Sequence, residues 1–426
     1  MVRAPSWLVK LETLSLLYVS VFLTRIGFGA ILWIFPQYVQ AAPALSSIVI
    51  ALYPAVEGLS ALPVGAYVDR RGRRRAFVVG MILVSALTFI IGLSPNLYLV
   101  GSAHALEGLA AALITVSSLT MITDLTVEKN RGAGMGVFNL STLAGYGLGV
   151  FVGVAFSQFF SANLGDSFFV VAGILAVAAF FAFFALKEPS HGVLPKRTLR
   201  ELYDSLTGDV SSIFPIWFAL TIVLGFYLFT PRLIKDALPA YSQSSISQFA
   251  PLLLIGLVVL GSGALLFGRL SDKIGRGKTM MIGAFGEVGF LLIFPNIFQK
   301  LVLIPVNTPW LDTYSQVGPI ILVAAALFFI GSALLPSVLA YMADKSTLGF
   351  RGATMGLYSL LLSGGLALGT VLAGFADELA GTQGVFYSAA VILTGPSIVS
   401  GLLLRRDMRR TIPGGQQSIR TPELRT

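Results

Sequence analysis

Four ionisable side chains lie inside long apolar stretches of this 426-residue sequence: Arg25, Glu57, His104 and Glu107. A charge at the depth of a membrane is costly, so such residues are functional candidates by default. Arg25 and Glu57 fall near the middle of two successive stretches, at similar depth, which predicts a buried ion pair. The pair is open to two interpretations: a structural ion pair, or a cavity pair that exchanges partners with a proton or a substrate.

The other two candidates share one face of a helix, because His104 and Glu107 are three residues apart. Histidine changes charge near neutral pH, so His104 is a candidate proton relay beside Glu107. The alternative is a histidine that is hydrogen-bonded within the packing or lies near the outer water layer. A further acid, Glu287, falls near the inner end of a later apolar stretch and is interpreted as an interfacial or structural acid.

A polar turn motif occurs twice, each time at the end of an apolar stretch. The first copy reads G-x-x-x-D-R-x-G-R and the second reads G-x-x-x-D-K-x-G-R. They are formed by Gly65, Asp69, Arg70, Gly72 and Arg73, and then by Gly268, Asp272, Lys273, Gly275 and Arg276. A duplicated polar turn between apolar helices is typical of transport proteins built from two similar halves.

A second pair of segments extends this repeat. Asp124 and Arg131 match Asp344 and Arg351, and ten of the thirty positions from 124 onward are identical in the later copy. Fewer residues separate the two copies of the turn motif than separate the two copies of this later segment. The second half must therefore carry extra residues between its turn motif and its later segment, and we expect them in the loop 299–316.

The repeat also carries glycines at a four-residue spacing. Gly145 and Gly149 match Gly365 and Gly369 in the later copy. This spacing lets two membrane helices approach closely. The spacing has two possible explanations: ordinary close packing of helices, or a smooth contact that lets the two halves rock against each other.

The apolar stretches predict an all-α membrane protein with twelve transmembrane helices. Hydrophobic residues make up 55% of the chain and charged residues 12%, whereas soluble chains carry about 25% charged residues. The predicted spans are 13–36, 44–67, 76–94, 97–123, 133–160, 166–186, 212–233, 249–268, 279–298, 317–342, 353–375 and 384–404. The longest polar stretch divides them into six-helix bundles at 1–186 and 212–404, with a linker at 187–211. A basic tail at 405–426 is predicted to be disordered.

The basic residues orient these spans. With the N-terminus in the cytoplasm, all but four of the 29 lysines and arginines fall on the cytoplasmic side; the exceptions are Arg25, Arg232, Lys235 and Lys300. Basic residues mark the cytoplasmic face of membrane proteins, so both termini are predicted to be cytoplasmic. The same residues can contact anionic membrane lipid, and their placement argues against nucleic-acid binding. We therefore expect a multi-pass protein of the cell membrane.

With twelve spans, a six-plus-six repeat and the turn motif after spans two and eight, the sequence resembles the major facilitator superfamily over essentially its whole length. The resemblance implies two pseudo-symmetric bundles and a secondary transporter that alternates between inward-open and outward-open states. It also implies that the turn motif is a cytoplasmic latch. In this chain Asp69 would then face the start of span eleven near Gly352, and Arg73 would pair with Asp124.

By symmetry, the second copy would place Asp272 at the start of span five, near Gly132, and pair Arg276 with Asp344. The implied latch residues are Gly65, Asp69, Arg70, Gly72, Arg73, Asp124, Arg131, Gly268, Asp272, Arg276, Asp344 and Arg351. The resemblance is incomplete in span four, where many members have R-x-x-Q-G and an arginine linked to proton coupling. Here the corresponding residues are His104 to Gly108.

These features favour a proton-coupled transporter of a small organic solute, with efflux of a drug or metabolite preferred. The alternative is a proton-coupled or facilitative importer of a sugar, carboxylate or other metabolite. An enzyme is disfavoured, because the chain has no cysteine, two histidines and no H-E-x-x-H, G-x-S-x-G or Walker pattern. We expect no cofactor or metal, a small-molecule substrate, protons and lipid as partners, and a monomer.

Overall fold

The computed structural model describes residues 6–126, 128–188, 211–237, 243–303, 308, 310–345 and 351–410. Within these ranges every regular element is an α-helix. The helices are α1 (Ser6–Tyr38), α2 (Pro43–Arg71), α3 (Arg73–Gly92), α4 (Leu97–Leu125), α5 (Glu128–Phe159), α6 (Gly165–Ala185), α7 (Phe214–Ala237), α8 (Gln243–Ile274), α9 (Arg276–Leu303), α10 (Trp310–Val317), α11 (Ile320–Gly331), α12 (Leu334–Lys345) and α13 (Arg351–Arg410). We refer to α1–α6 as the N-terminal half and to α7–α13 as the C-terminal half.

The predicted all-α membrane fold is confirmed. In the described part of the chain, 11 segments are long and apolar enough to cross a membrane. The last of them, Leu360–Arg406, has 47 residues, about twice the length that one bilayer crossing needs. It is interrupted at Gly381, where φ is 63° and ψ is −167°, and so contains the last two predicted spans.

Two boundaries differ from the sequence prediction. The tail was predicted to begin at residue 405, but α13 continues to Arg410. The rest of the predicted disordered tail, 411–426, lies outside the described residues. The linker residues 189–210 also lie outside them. Span ten, predicted as one helix, breaks between Gly331 and Leu334. Pro336 falls in the first turn of α12, where its missing N–H is tolerated.

Both copies of the turn motif form the same backbone turn. Gly72 separates α2 from α3 with a φ of 97°, and Gly275 separates α8 from α9 with a φ of 98°. The N–H of Gly72 donates to the carbonyl of Val68 at 3.0 Å, and that of Gly275 donates to Ser271 at 3.1 Å. Glycine adopts a positive φ without steric cost, which explains why one residue suffices to end each helix and begin the next.

The repeat is asymmetric at the opposite end of the helices. In the N-terminal half α3 ends at Gly92 and α4 begins at Leu97, whereas in the C-terminal half α9 ends at Leu303 and α11 begins at Ile320. The short helix α10 lies in the longer connection. The extra residues of the second copy are therefore in the predicted region.

Each half contains a seam between two helices that is lined by glycine. In the N-terminal half α1 packs on α5, and in the C-terminal half α7 packs on α13. A Cβ atom on Gly149 would lie 2.7 Å from Cα of Gly29, and one on Gly369 would lie 2.7 Å from the carbonyl carbon of Ile222. Real Cβ atoms do not approach so closely, so both seams require glycine and bring the helix backbones into contact.

Candidate functional site

Arg25 is buried in the N-terminal half at a junction of four helices. Its Nη1 donates to the Tyr146 hydroxyl at 3.0 Å, and its Nη2 donates to Oγ1 of Thr115 at 3.0 Å. The Thr115 hydroxyl in turn donates to Oε1 of Glu57 at 3.0 Å. A chain of hydrogen bonds thus runs from Arg25 on α1 through Thr115 on α4 to Glu57 on α2.

This arrangement corrects the predicted direct pair of Arg25 and Glu57. The two residues do lie at the same depth, but a threonine hydroxyl stands between the guanidinium group and the carboxylate. Among the described residues no direct ion pair joins them. A hydroxyl can accept one hydrogen bond and donate another, so Thr115 links the two charges without direct contact.

The glycine-lined seam explains how Tyr146 reaches Arg25. A Cβ atom on Gly145 would lie 2.6 Å from Cβ of Arg25, so only a glycine at 145 lets α5 come this close to α1. The neighbouring Tyr146 then hydrogen-bonds the guanidinium group, whose carbon lies 5.3 Å from the centre of the tyrosine ring. This distance allows a cation–π contact in addition to the hydrogen bond.

His104 and Glu107 form a second polar cluster, on α4. Nδ1 of His104 lies 2.9 Å from Oε2 of Glu107, and Oε1 of Glu107 accepts a hydrogen bond from Thr88 on α3 at 2.7 Å. Glu107 is fully buried. The predicted sharing of one helix face is thus observed, and Thr88 links this face to a second helix, α3.

Aromatic rings enclose the imidazole of His104. The centre of the Phe35 ring lies 4.7 Å from the centre of the imidazole, and the ring of Tyr53 stacks on the imidazole with the two centres 5.4 Å apart. Tyr53 is on α2, four residues before Glu57, so it lies between the His104 cluster and the Arg25 chain. Tyr53 stacks on His104 and also lies beside Glu57 and Glu107. The two clusters are therefore neighbours.

Sequence reasoning missed the uncharged members of this network: Tyr53, Thr88, Thr115 and Tyr146. One signal was available, since Tyr53 precedes Glu57 by four residues and so lies on the same helix face. Tyr146 lies within the glycine repeat, but its contact with Arg25 depends on which helix packs against α5. No group of three histidine, aspartate or glutamate side chains is placed to hold a metal ion within the described ranges.

At the N-terminal turn motif, Arg73 reaches Asp124 at the end of α4. Nε of Arg73 lies 3.0 Å from Oδ2 of Asp124, and the arginine side chain is 2% exposed. Gly65 faces α4, where a Cβ atom would lie 4.0 Å from Cγ1 of Val116. Arg70 is exposed and lines a cavity of about 320 Å³ together with Pro63, Ala66, Tyr67 and Arg71.

Glu188 makes a contact at this motif that sequence reasoning did not foresee. Its two carboxylate oxygens accept hydrogen bonds from the backbone N–H groups of Arg73 at 2.7 Å and Arg74 at 2.9 Å. These are unpaired donors at the start of α3, where a negative charge is favourable. Arg74 donates in turn to the carbonyl of Phe183, and its guanidinium carbon lies 5.2 Å from the centre of that ring. Glu188, at the start of the predicted linker, is thus bound to the first turn motif.

At the C-terminal turn motif, Arg276 pairs within its own turn. Its Nη1 lies 2.5 Å from Oδ1 of Asp272 and donates to the Ser271 hydroxyl at 2.6 Å. Around Gly268 there is open space. The side chains of the other implied latch residues, Asp69, Arg131, Asp344 and Arg351, lie outside the described residues, as do the surroundings of Gly132.

In the described residues, 11 segments can cross a membrane, the last of them is long enough to cross twice, and the helices form two related halves. These features define a multi-pass membrane protein. The sequence model of the Major Facilitator Superfamily matches residues 14–286 and 237–422. The chain belongs to this superfamily, a class of transporters and not of enzymes.

Curated relatives and solved structures agree with this assignment. Multidrug resistance protein 2 of Bacillus subtilis (strain 168) is 21% identical over 88% of this chain and 91% of its own length. Inner membrane transport protein YajR of Escherichia coli (strain K12) is 24% identical over 83% of this chain and 73% of its own length. A crystal structure of a bacterial homologue of the human lysosomal transporter Spinster covers 96% of this chain and 99% of its own, with a TM-score of 0.70 and 15% identity. This last likeness concerns the fold.

Proposed function

We propose that this transporter exports small organic solutes in exchange for protons, by alternating access of one binding site to the two sides of the membrane. The observation that carries the proposal is the polar network of Arg25, Thr115, Glu57, His104 and Glu107 in the interior of the N-terminal half. Support also comes from relatives whose names describe multidrug resistance.

Within this network we assign proton exchange to Glu57 and His104. Glu57 is balanced by Arg25 through a single hydroxyl, so a proton on Glu57 would leave the charge of Arg25 without its counter-charge. His104 holds Glu107 through one hydrogen bond, and an imidazole ring can take up and release a proton. A proton arriving at either residue therefore alters the balance of charge around Tyr53, which lies between them.

We further propose that the turn motif latches the cytoplasmic side. In this proposal Arg73 and Asp124 hold α3 to α4, Asp69 faces the start of α13 near Gly352, and Arg276 pairs with Asp344. Both termini are cytoplasmic, the bundles span 1–186 and 212–404, and the linker 187–211 joins them. The transporter works as a monomer with lipid around it.

Flux in proteoliposomes tests the proposal, with ethidium as the first probe because it is an organic cation with a fluorescence readout. A proton antiporter accumulates ethidium when the lumen is acidic and stops when an ionophore collapses the gradient. Glu57→Gln should abolish the gradient-driven part, whereas Glu378→Gln, which removes an exposed carboxylate, should not.

Two outcomes would contradict the proposal. Uptake driven by an acidic exterior would indicate a symporter and therefore an importer. Downhill movement that ignores the gradient would indicate a uniporter. If ethidium is not moved at all, a thermal-shift screen of organic solutes supplies the ligand on which the same two comparisons are made.

A further inference from the structure

The C-terminal half contains one carboxyl group deep within its helices that the network above does not use. Glu287 lies at the middle of the span Arg276–Lys300 and is 6% exposed. This position corrects the expectation of an acid near the inner end of the span. Its Oε1 accepts a hydrogen bond of 2.5 Å from the Tyr227 hydroxyl on α7.

The other oxygen of Glu287 faces the break between α11 and α12. A Cβ atom on Gly331 would lie 2.5 Å from Oε2 of Glu287, so a side chain at position 331 would displace the carboxyl group from this place. Beyond the carboxyl group, one turn along α9, the ring of Phe290 packs on Phe294 and Phe328, with centres 4.9 and 4.7 Å apart. The surroundings are thus apolar, apart from one hydroxyl and the helix break.

No cation balances this carboxyl group among the described residues. Tyr227 is the one described titratable side chain that interacts with Glu287, and α11 carries no titratable residue. The helix of Tyr227, α7, also carries Arg232, Lys235 and Asp236 further along the chain, and no described side chain among them acts on the carboxyl group of Glu287. The remaining helices that pack against α9 carry the following titratable residues: Arg269, Asp272 and Lys273 on α8, Asp312 and Tyr314 on α10, Tyr341, Asp344 and Lys345 on α12, and Arg351, Tyr358, Asp377, Glu378, Tyr387, Arg405, Arg406, Asp407, Arg409 and Arg410 on α13.

A lone ionised carboxylate in such surroundings costs several kcal/mol, and a bound proton removes that cost. Tyr227 suits both states of the group. Its hydroxyl donates to the ionised carboxylate, and it accepts the hydrogen bond when the carboxyl group carries the proton. The contact between α7 and α9 therefore persists through uptake and release of a proton.

Tyr227 also connects this group to the rest of the molecule. It lies on α7, which packs on α13 and contacts α1 and α2 of the N-terminal half. Glu287 is on α9 and abuts the break in span ten. A change of charge on Glu287 therefore acts on three elements of the C-terminal half at once, including the helix that meets the N-terminal half.

We propose that Glu287 is a second proton-binding site of the transporter, with Tyr227 as its positioning partner, and that it is occupied in one state of the cycle and empty in another. The coupling role rests on the proposed proton exchange. The existence of the proton site does not rest on that proposal, because protonation of Glu287 can be measured without transport.

Infrared difference spectroscopy of the reconstituted protein, between acidic and alkaline buffer, detects a protonated carboxyl group by its C=O stretch. We expect a titrating band that disappears in Glu287→Gln and shifts in Tyr227→Phe, which keeps the ring and removes the hydroxyl. Glu378→Gln should leave this band unchanged. If the band is the same in wild type and Glu287→Gln, the proton site is refuted. Should Glu287→Gln not fold, an unshifted band in Tyr227→Phe refutes it instead.

Transport then tests the coupling role. Glu287→Gln should lose gradient-driven accumulation while it retains exchange of labelled against unlabelled ethidium across the membrane. Full gradient-driven accumulation in this variant would overturn the coupling role. A wild-type protein that ignores the gradient would overturn the proposed function, and the infrared band would still decide whether Glu287 binds a proton.

Discussion

The two halves of this transporter share their scaffold and differ in their buried charges. Both have a turn with a left-handed glycine, at Gly72 and Gly275, and both have a seam where glycine brings two helices into contact. The N-terminal half buries a hydrogen-bonded network of charged groups around Arg25. In the described C-terminal half, the buried Glu287 is hydrogen-bonded to a tyrosine, and Arg232 on α7 is a second buried charged residue.

This difference separates what the repeat preserves from what each half does with it. Turns and helix seams depend on backbone geometry, which a duplicated segment retains as long as its glycines remain. Buried charges depend on single side chains, and one substitution adds or removes them. The two halves therefore share their turns and helix seams but differ in their buried charged groups. Five experiments test this contrast.

The largest effect is expected from Arg25→Leu, because it strands Glu57 without a counter-charge. Breaking a buried pair by removing one partner costs about 3–5 kcal/mol. The double variant with Glu57→Leu should recover much of this loss, and unfolding of the purified protein in detergent measures both. Glu287→Leu, which strands no opposite charge, should cost less than Arg25→Leu. An equal cost would contradict the contrast between the halves.

Arg73→Ala comes next, since it removes a buried charged hydrogen bond between α3 and α4. A hydrogen bond to a charged group contributes about 1.5–3 kcal/mol. The corresponding Arg276→Ala should cost less, because the pair of Arg276 with Asp272 lies within one turn and Asp272 is largely exposed. The exposed Arg75→Ala is the matched control. The prediction fails if Arg276→Ala is the more damaging of the two in thermal melting.

The two glycine seams should respond alike. Gly149→Ala and Gly369→Ala each place a methyl group against the facing backbone, and overpacking of this kind costs about 1–3 kcal/mol. Gly173→Ala and Gly364→Ala, which place the methyl group in open space, serve as controls for each half. Loss of folded protein on size-exclusion chromatography reports the effect. A large difference between the two seam variants would argue against a shared scaffold.

His104→Gln should leave stability nearly unchanged and alter the response to pH. The glutamine amide can still donate to Glu107, but it does not titrate. Initial ethidium transport rates measured across a pH series should therefore vary less than in wild type. The chain has one other histidine, His191, so His191→Gln is the control. An unchanged pH profile in His104→Gln would refute the relay.

Glu188→Gln is expected to have the smallest effect. A carboxylate at a helix N-terminus contributes about 0.3–1 kcal/mol near the surface, and salt screens it. The loss should be visible as a small drop in melting temperature at low salt that shrinks at high salt. The C-terminal half offers no described counterpart of this contact, so the effect should be confined to the N-terminal half. A salt-independent drop would point to packing and not to charge.

Much of the scaffold was predictable from the sequence, because apolar length and glycine spacing act locally. The twelve spans, the turn at Gly72 and the extra residues before span ten all follow from such local signals. The contact between Arg73 and Asp124 is in the structure as the family resemblance implied, although its role in a latch stays a prediction.

The polar network was only partly predictable, because it depends on which helix faces which. Matching depth indicated that Arg25 and Glu57 are neighbours, but not that Thr115 stands between them. The position of Glu287 was misjudged although the predicted span 279–298 already placed it near the middle, and the bounds of α9, Arg276–Leu303, agree with that central position. Tyr227 and Tyr146 carry no charge, so nothing in the sequence singled them out before the packing of the helices was known.

The contact of Glu188 with the start of α3 has a consequence for cutting the chain. A gene split that separates the two halves before Lys187 would leave two N–H groups at the first turn motif without their acceptor, whereas a split after residue 188 keeps that acceptor in the N-terminal fragment. The same boundary applies to chimaeras that exchange one half for that of a relative, so the joint between the two halves belongs beyond Glu188.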